Sequence, residues 1–296
     1  MIKFTTKYKA YLLIGYAFLF VVHFILKDRF YLTGIIFYAF PTPIILLISA
    51  TLLVIFFSDK KLKIVLSFVS LCLTFFWFKN YYFSNNSDER YEEEKTLILW
   101  NVNKQEDFNI NQLKEIIVNK NIESIFLVEA IHNQSDYKYK IEKELHDYKV
   151  EYLKSNMIVA SKDKIETLNS IQINQNLNLN HIRVGNQTYL LVDIYASPIH
   201  NKKDALNNVI EYANKNSIDV ILGDFNTPFE SIHFKKFKSK YTSLRTYQKG
   251  FSATWPFGIP LLELDQIWLK NEIKPLGLEK THYSCSDHPV LVGKFK

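Results

Sequence analysis

Val220-Ile221-Leu222-Gly223-Asp224-Phe225-Asn226-Thr227-Pro228 is the stretch on which the reading of this chain turns. Val220 to Leu222 is a short apolar run of the kind that forms a buried strand, and the Gly-Asp-x-Asn-x-Pro that follows cannot extend it. The strand therefore delivers Asp224 and Asn226 to a rim. Alternation along an extended segment sets those two on one side and turns Phe225 back toward the core, so that a carboxylate and an amide converge. That pair suits a phosphate and a cation, although an isolated Asp-x-Asn also closes strands as a plain Asx-turn.

The 296 residues are 48% hydrophobic and 15% aromatic. The mean hydropathy of -0.07 averages two unlike parts. Residues 1–83 are rich in Phe, Leu, Ile and Val, whereas the chain beyond Asn85 is polar and rich in Lys and Asn. Much of the formal charge of +6 flanks the apolar segments, where it serves topology, so it is a poor pointer to nucleic acid. Cys72 and Cys285 form neither a paired framework nor a metal-ligand spacing, which argues against a disulfide scaffold and a zinc site.

Three apolar runs, 10–26, 41–57 and 62–78, stand out in the first part. Each approaches the length a helix needs to cross about 30 Å of hydrocarbon. They predict an all-α transmembrane region with three spans over residues 1–83. Residues 31–40 are also apolar, so Pro41 and Pro43 mark a kink or an interfacial re-entry. Lys3, Lys7 and Lys9 resemble the front of a signal peptide, but Ile25-Leu26-Lys27-Asp28-Arg29 has no small-residue cleavage site, so the first run is expected to be a retained anchor. The distribution of basic residues favours an N-terminus on the inner side of the cell membrane, so the chain after three spans is expected on the outer, periplasmic or extracellular side. His23 in the first span either packs against a neighbouring helix or marks a site. Residues 84–95 are an acidic linker.

Residues 96–296 form the second domain. Strand patterns at 96–102 and Ser124–Val128 end on Asn101 and Glu129; a carboxylate at an apolar strand end needs a cation, either Lys or Arg or a metal. Helices are expected at 109–119, 135–147 and 203–214, with strands at 150–153 and 157–160. The Asn-rich 172–180 is expected to be a loop, and Gly185-Asn186 the turn of a hairpin whose second strand runs into Tyr195. Further on come Thr254-Trp255-Pro256, a strand over 264–269 with Asp265 and Gln266, and Cys285-Ser286-Asp287-His288 before a final strand at 289–295. The strand ends carrying Asn101, Glu129, Tyr195, Asp224 with Asn226, and Asp287 with His288 point to one pole of a layered sheet structure.

That ordered set, Trp-Asn-Val-Asn, a strand ending in Glu, Tyr-x-Ser-Pro, Gly-Asp-Phe-Asn, Thr-Trp-Pro, a Leu-Asp strand and Ser-Asp-His, resembles the endonuclease/exonuclease/phosphatase superfamily over residues 96–296. The preceding apolar region is similar to that of its membrane-anchored bacterial members. The resemblance implies an α/β fold, a four-layered DNase I-like sandwich, and Mg²⁺-dependent (or Mn²⁺-dependent) hydrolysis of a phosphate ester. It implies Glu129 and Asp287 as metal carboxylates, Asn101 as a supporting amide, and Asp224 with Asn226 at the attacking water and phosphoryl oxygens. It also implies His288 on the phosphate, Asp265 orienting it, and Tyr195 either donating to the leaving oxygen or hydrogen-bonding a phosphate. Asn103 departs from the pattern where abasic-site nucleases carry an aspartate, which makes a second metal less expected. Gln266 has no assigned role, and His200, His282 and Cys285 are read as surface or packing residues.

The expected activity is that of a membrane-anchored phosphodiesterase, foremost a nuclease on DNA or RNA. A lipid or inositol phosphate hydrolase acting on headgroups in the bilayer is the second reading, and a binding module without chemistry the third. Lys235, Lys236, Lys238 and Lys240 are candidate backbone contacts or a solvated face.

Overall fold

A computed structural model of the chain describes residues 6–84, 94–104, 111–131, 135–200 and 202–296. Two units divide it: Met1–Tyr82 with Glu230–Ile232, and Phe83–Phe229 with His233–Lys296. Most of the acidic linker, residues 85–93, lies outside the described residues.

The first unit contains helices α1 (Thr6–Val21), α2 (Tyr31–Ala39), α3 (Thr42–Ile55) and α4 (Lys60–Tyr81). With the π-helical turn Val22–Leu26 that continues α1, the apolar segment Tyr8–Leu26 has 19 residues, and α4 has 22. Each is long enough to cross a bilayer. The expected second span is instead a bent pair, with α2 and α3 meeting at 72°. Pro41 sits at the break, while Pro43 lies in the first turn of α3, where its missing N–H leaves no helical bond unmade. The helix α3 has 14 residues. At roughly 1.5 Å per residue it reaches only about 21 Å by itself. The described residues thus hold two helices able to cross a membrane, or three spans if the bent pair counts as one. His23 is buried and shares a 2.9 Å hydrogen bond with Thr42 Oγ1, which gives its Nε2 a partner inside the helical packing. Ser49 and Ser70 join α3 to α4 by a 2.8 Å hydroxyl pair.

In the second unit, strands β1 (Lys95–Asn101), β2 (Ser124–Val128), β3 (Lys149–Leu153) and β4 (Met157–Ser161) are followed by β5 (Ile165–Ile173), β6 (Leu177–Val184) and β7 (Gln187–Ile194). The chain continues through β8 (Val220–Asp224), β9 (Tyr241–Ser243), β10 (Asp265–Lys270), β11 (Pro275–Thr281) and β12 (Val290–Phe295). They build two six-stranded sheets, ordered β9-β10-β8-β7-β6-β5 and β11-β12-β1-β2-β4-β3. Leu97, Leu99, Phe126 and Leu291 of one sheet meet Leu191, Leu222 and Ile267 of the other in a buried layer. Ile98, Trp100 and Leu127 face outward against α5 (Asn111–Lys120) and α6 (Ser135–Glu144). Val192, Ile221 and Trp268 pack beneath α7 (Lys202–Lys215). Both faces of the central strands are covered, which is why β1, β2 and β8 read as continuous apolar runs.

The layers are therefore helix, sheet, sheet, helix, the sandwich expected from the sequence. The expected loop over 172–180 is corrected: β5 and β6 pair along this stretch, and only the turn at Asn174, Gln175 and Asn176 separates them. Asn174 and Gln175 take φ of 48° and 56°. That is the left-handed pair a tight hairpin needs, and Asn tolerates it. Leu177 and Leu179 then alternate into the core. An Asn-rich composition concealed a period of two.

Gly223 has φ 143°, and a Cβ there would stand 1.9 Å from Val192 O of the neighbouring strand. Only glycine lets β8 approach β7 at the point where the chain turns toward its rim.

Candidate active site

β1 and β2 run parallel, as do β7 and β8, so Asn101, Glu129, Tyr195 and Asp224 emerge at one pole. β10 and β12 run antiparallel to β8 and β1, and bring Asp265 and the Asp287-His288 turn to the same pole. Register across the first sheet pairs Asp193 with Asp224 and Asp224 with Asp265. Three carboxylates thus stand in one row.

Asp224 is 1% exposed, and its two oxygens accept from Asn101 Nδ2 at 2.9 Å and from the Asn226 backbone N–H at 2.8 Å. Burial, and then the Asp265 and Asp193 charges, raise its pKa well above the usual carboxylate range against the opposing pull of His288. Asn101 is held in turn, its Oδ1 accepting from Asn103 N at 2.8 Å. Phe225 is fully buried, as alternation required. The Asn226 side chain does not meet Asp224; its Nδ2 donates to Ile194 O at 2.8 Å, which ties the rim to the end of β7.

Asp265 and His288 form a dyad, with Nδ1 and Oδ2 2.7 Å apart. Burial pulls the imidazole down, but the Asp265 charge and hydrogen bond, with Asp224 and Asp287 behind them, overcome it and lift its pKa to about 10 from the ordinary 6.5. The folded state therefore holds this proton more tightly than the unfolded chain. Its stabilisation is complete below pH 6.5 and is lost as pH rises through about 10. Metal-free protein should lose about 5 kcal/mol across that window from this group alone. Denaturant titrations of wild type and His288→Gln at successive pH values check it, since the variant should lack this part of the pH slope.

The sequence motifs acquire mechanical roles. Thr254 Oγ1 accepts from the backbone N–H groups of Leu264 and Asp265 at 2.9 and 3.0 Å, and so fixes the start of β10. Trp255 Nε1 donates to Asp287 Oδ2 at 2.7 Å. Ser286 Oγ donates to Asn101 O at 2.8 Å and accepts from His288 N, which locks the Ser-Asp-His turn to β1. Gln266 is a rivet of the core, donating to Thr227 O and accepting from Trp268 Nε1.

Glu129 and Tyr195 stand together on the wall of one cavity, with Lys104 3.5 Å from the Glu129 carboxylate. Tyr195 is 53% exposed and packs edge-on against His200. Glu129 has φ 54°. This left-handed conformation costs a non-glycine residue about 1–2 kcal/mol. Glycine would be easier there.

Two residues escaped the sequence reading. Lys202, 3% exposed in the first turn of α7, donates to Tyr195 O, and burial lowers its pKa to about 8 against the pull of Asp224 and Asp193. Asp193 is raised to about 6, first by burial and then by the Glu129 charge, while Asn178 Nδ2 donates to it at 3.1 Å. A lysine opening an amphipathic helix looks like any solvated lysine in sequence; the signal was Asp193 standing two residues before Tyr195, a strand acid with no partner in view.

Among the described residues, the closest group of metal-ligating atoms comes from Asp224, Asp265 and His288, all within 4.8 Å. The bond between Asp265 and His288 marks that group as a dyad beside a carboxylate. A cation suits the pole on other grounds: the buried oxygens Asp265 Oδ1 and Asp287 Oδ1 have no hydrogen-bond partner, and carboxylates crowd one end of the sheets.

No protein-family model and no curated protein matches the chain. Solved structures do. An endonuclease/exonuclease/phosphatase from Bacteroides vulgatus superposes with a TM-score of 0.53 at 12% identity, covering 69% of this chain and 99% of its own. A family protein from Bacteroides thetaiotaomicron gives 0.52 at 10% identity over 69% and 98%. A D. rerio TDP2 humanized by 14 mutations gives 0.51 at 15% identity over 69% and 100%. The second unit of this chain has the fold of the endonuclease/exonuclease/phosphatase superfamily.

Proposed function

We propose that the chain is a membrane-anchored, divalent-metal-dependent phosphodiesterase, with residues 96–296 as its catalytic domain. The observation that carries this reading is the convergence of Asp224, held by Asn101 and Asn226, with the Asp265–His288 dyad at one pole. In the proposed reaction, Asp224 orients the attacking water and takes its proton, a role its raised pKa suits. His288, kept protonated by Asp265, donates to a phosphoryl oxygen where negative charge builds. The water oxygen bonds to phosphorus, the bond from phosphorus to the leaving oxygen breaks, and that oxygen takes a proton from the Tyr195 phenol, which at 53% exposure regains one from solvent. The Asn226 carboxamide and Asn101 keep Asp224 and the rim in register.

Glu129 and Asp287 would hold the cation, Mg²⁺ or Mn²⁺, which when bound draws charge from the phosphoryl group. The strained φ of Glu129 supports this, because a costly side chain is kept where glycine fits better. Glu129→Gly should leave stability within about 1 kcal/mol of wild type, as lost strain offsets glycine's entropy. The variant should weaken Mn²⁺ binding at least tenfold by calorimetry.

Within phosphodiesters, nucleic acid finds support in the TDP2 structure solved with single-strand DNA product, a property of that protein at 14% identity. The lysine run offers little to it: Lys236 pairs with Glu211 at 3.3 Å, and Lys238 donates to Phe229 O and covers the Phe229 ring. A bilayer headgroup is the second reading, favoured by the apolar helices and by the lining of the cavity beside Tyr195.

The side of the membrane follows from span parity. With the bent pair as one span, the catalytic domain faces the outside, as the basic residues favour. A C-terminal alkaline phosphatase fusion should then be active and a C-terminal green fluorescent protein fusion dark. The reverse pattern would make α2 and α3 a re-entrant hairpin.

A further inference from the structure

Lys202 opens α7 and is 3% exposed. Helix stability gives no reason for it, since a cation at the positive end of a 14-residue helix is disfavoured and burial of an ammonium costs more still. Asp204, in the same turn, is the charge that this helix end favours. The partners of Lys202 lie on the sheet instead. Burial lowers its pKa to about 8, and the Asp224 and Asp193 carboxylates pull it back up. Its Nζ donates to Tyr195 O.

That bond is one of three that tether the main chain at Tyr195. Tyr195 N donates to Asn176 O at 2.9 Å, and Ile194 O accepts from Asn226 Nδ2 at 2.8 Å. Both of these secure the strand side. On the other side residues 196–200 bond within their own turn, Ile199 N to Ser197 Oγ and His200 N to Ser197 O, each at 3.3 Å. Among the described residues Lys202 therefore supplies the tie on that side, from Tyr195 to α7. The ring is held differently. It is more than half exposed, lies edge-on to His200 at 4.8 Å, and its hydroxyl has no hydrogen-bond partner among the described residues. A free phenol on a fixed main chain suits a proton donor that must meet a reacting atom in one geometry.

We infer that Lys202 is a positioning residue, which by holding Tyr195 O from α7 fixes the Tyr195 phenol where the leaving oxygen takes its proton. The inference rests on the phosphodiesterase reading and deepens it, assigning a residue to the leaving-group side of the site. A neutral side chain could make the same hydrogen bond, but an ammonium also answers the row of Asp193 and Asp224. One group thus ties the proton-donating loop to the acids.

Full-length protein in detergent with Mg²⁺ is given two diesters: bis(p-nitrophenyl) phosphate, whose p-nitrophenolate leaves without help, and diphenyl phosphate, whose more basic leaving oxygen needs a proton. Lys202→Met should lower kcat at least about tenfold more on diphenyl phosphate than on bis(p-nitrophenyl) phosphate, within the about 10²-fold that a misplacement near 1 Å can cost. On diphenyl phosphate the double variant Lys202→Met with Tyr195→Phe should be no more than about twofold slower than Tyr195→Phe alone, because the lysine acts through the phenol. An equal fall on both substrates, or a double variant whose loss is the product of the single losses, overturns the inference. If Lys202→Met does not fold, Lys202→Gln, uncharged and shorter, takes its place. With 3-fluorotyrosine at position 195 alone, one ¹⁹F resonance reports the placement of the ring whether or not the protein is a hydrolase. In the Lys202 variant its shift should move from the value set by His200 toward that of the free amino acid. If wild type cleaves neither diester, that move upholds the positioning role and removes only the hydrolase reading, and an unmoved resonance overturns the inference.

Discussion

Gly223→Ala is expected to leave no folded catalytic unit. The added methyl would meet Val192 O at 1.9 Å, and the residue would have to hold φ 143°. L side chains rarely adopt that conformation. The obstacle is backbone in the adjacent strand, so no rotamer change relieves it. Relief requires parting β7 from β8, which breaks the register that aligns Asp193 with Asp224. The cost should exceed about 4 kcal/mol, a large share of the roughly 5–15 kcal/mol that keeps a domain folded. Near-ultraviolet circular dichroism, to which the buried Trp100 and Trp268 contribute, should lose the fixed-environment part of its signal. A cooperative thermal transition within a few degrees of wild type would contradict the packing described for this strand.

The second large effect is on rate. Asp224→Asn should lower kcat on a phosphodiester by about 10²–10⁴, the usual contribution of a positioned general base. The substitution keeps shape but not function, since an amide cannot take the proton and only one of its two atoms can accept from Asn101 and Asn226. The fold should survive, because removing one charge relieves the row formed with Asp193 and Asp265 and offsets the lost hydrogen bond. A variant that keeps both its melting transition and wild-type kcat would remove Asp224 from the mechanism.

Much of this was legible in the chain because burial on both faces leaves a strong imprint. Continuous apolar runs such as Val220 to Leu222 have few alternatives to a covered central strand, and an abrupt polar end marks a rim. What sequence concealed was pairing. Asn174 and Gln175 look like loop residues whether they sit in a loop or supply the left-handed turn between β5 and β6. Composition cannot distinguish Lys202, buried against Tyr195 O, from the solvated lysines that surround it in sequence. Asp193 joined the row of acids only once the register of β7 and β8 was known. Pro41 and Pro43 announced a break between α2 and α3, while the 72° bend itself is a matter of packing.

The pole of the sandwich is proposed to hydrolyse a phosphodiester with a divalent cation. The most direct test is turnover of bis(p-nitrophenyl) phosphate by the full chain in detergent, with Mg²⁺ or Mn²⁺ against EDTA, beside Asp224→Asn. Hydrolysis should need the cation and collapse in the variant. Folded wild-type protein that shows no cation-dependent turnover, or turnover that Asp224→Asn leaves untouched, would contradict it.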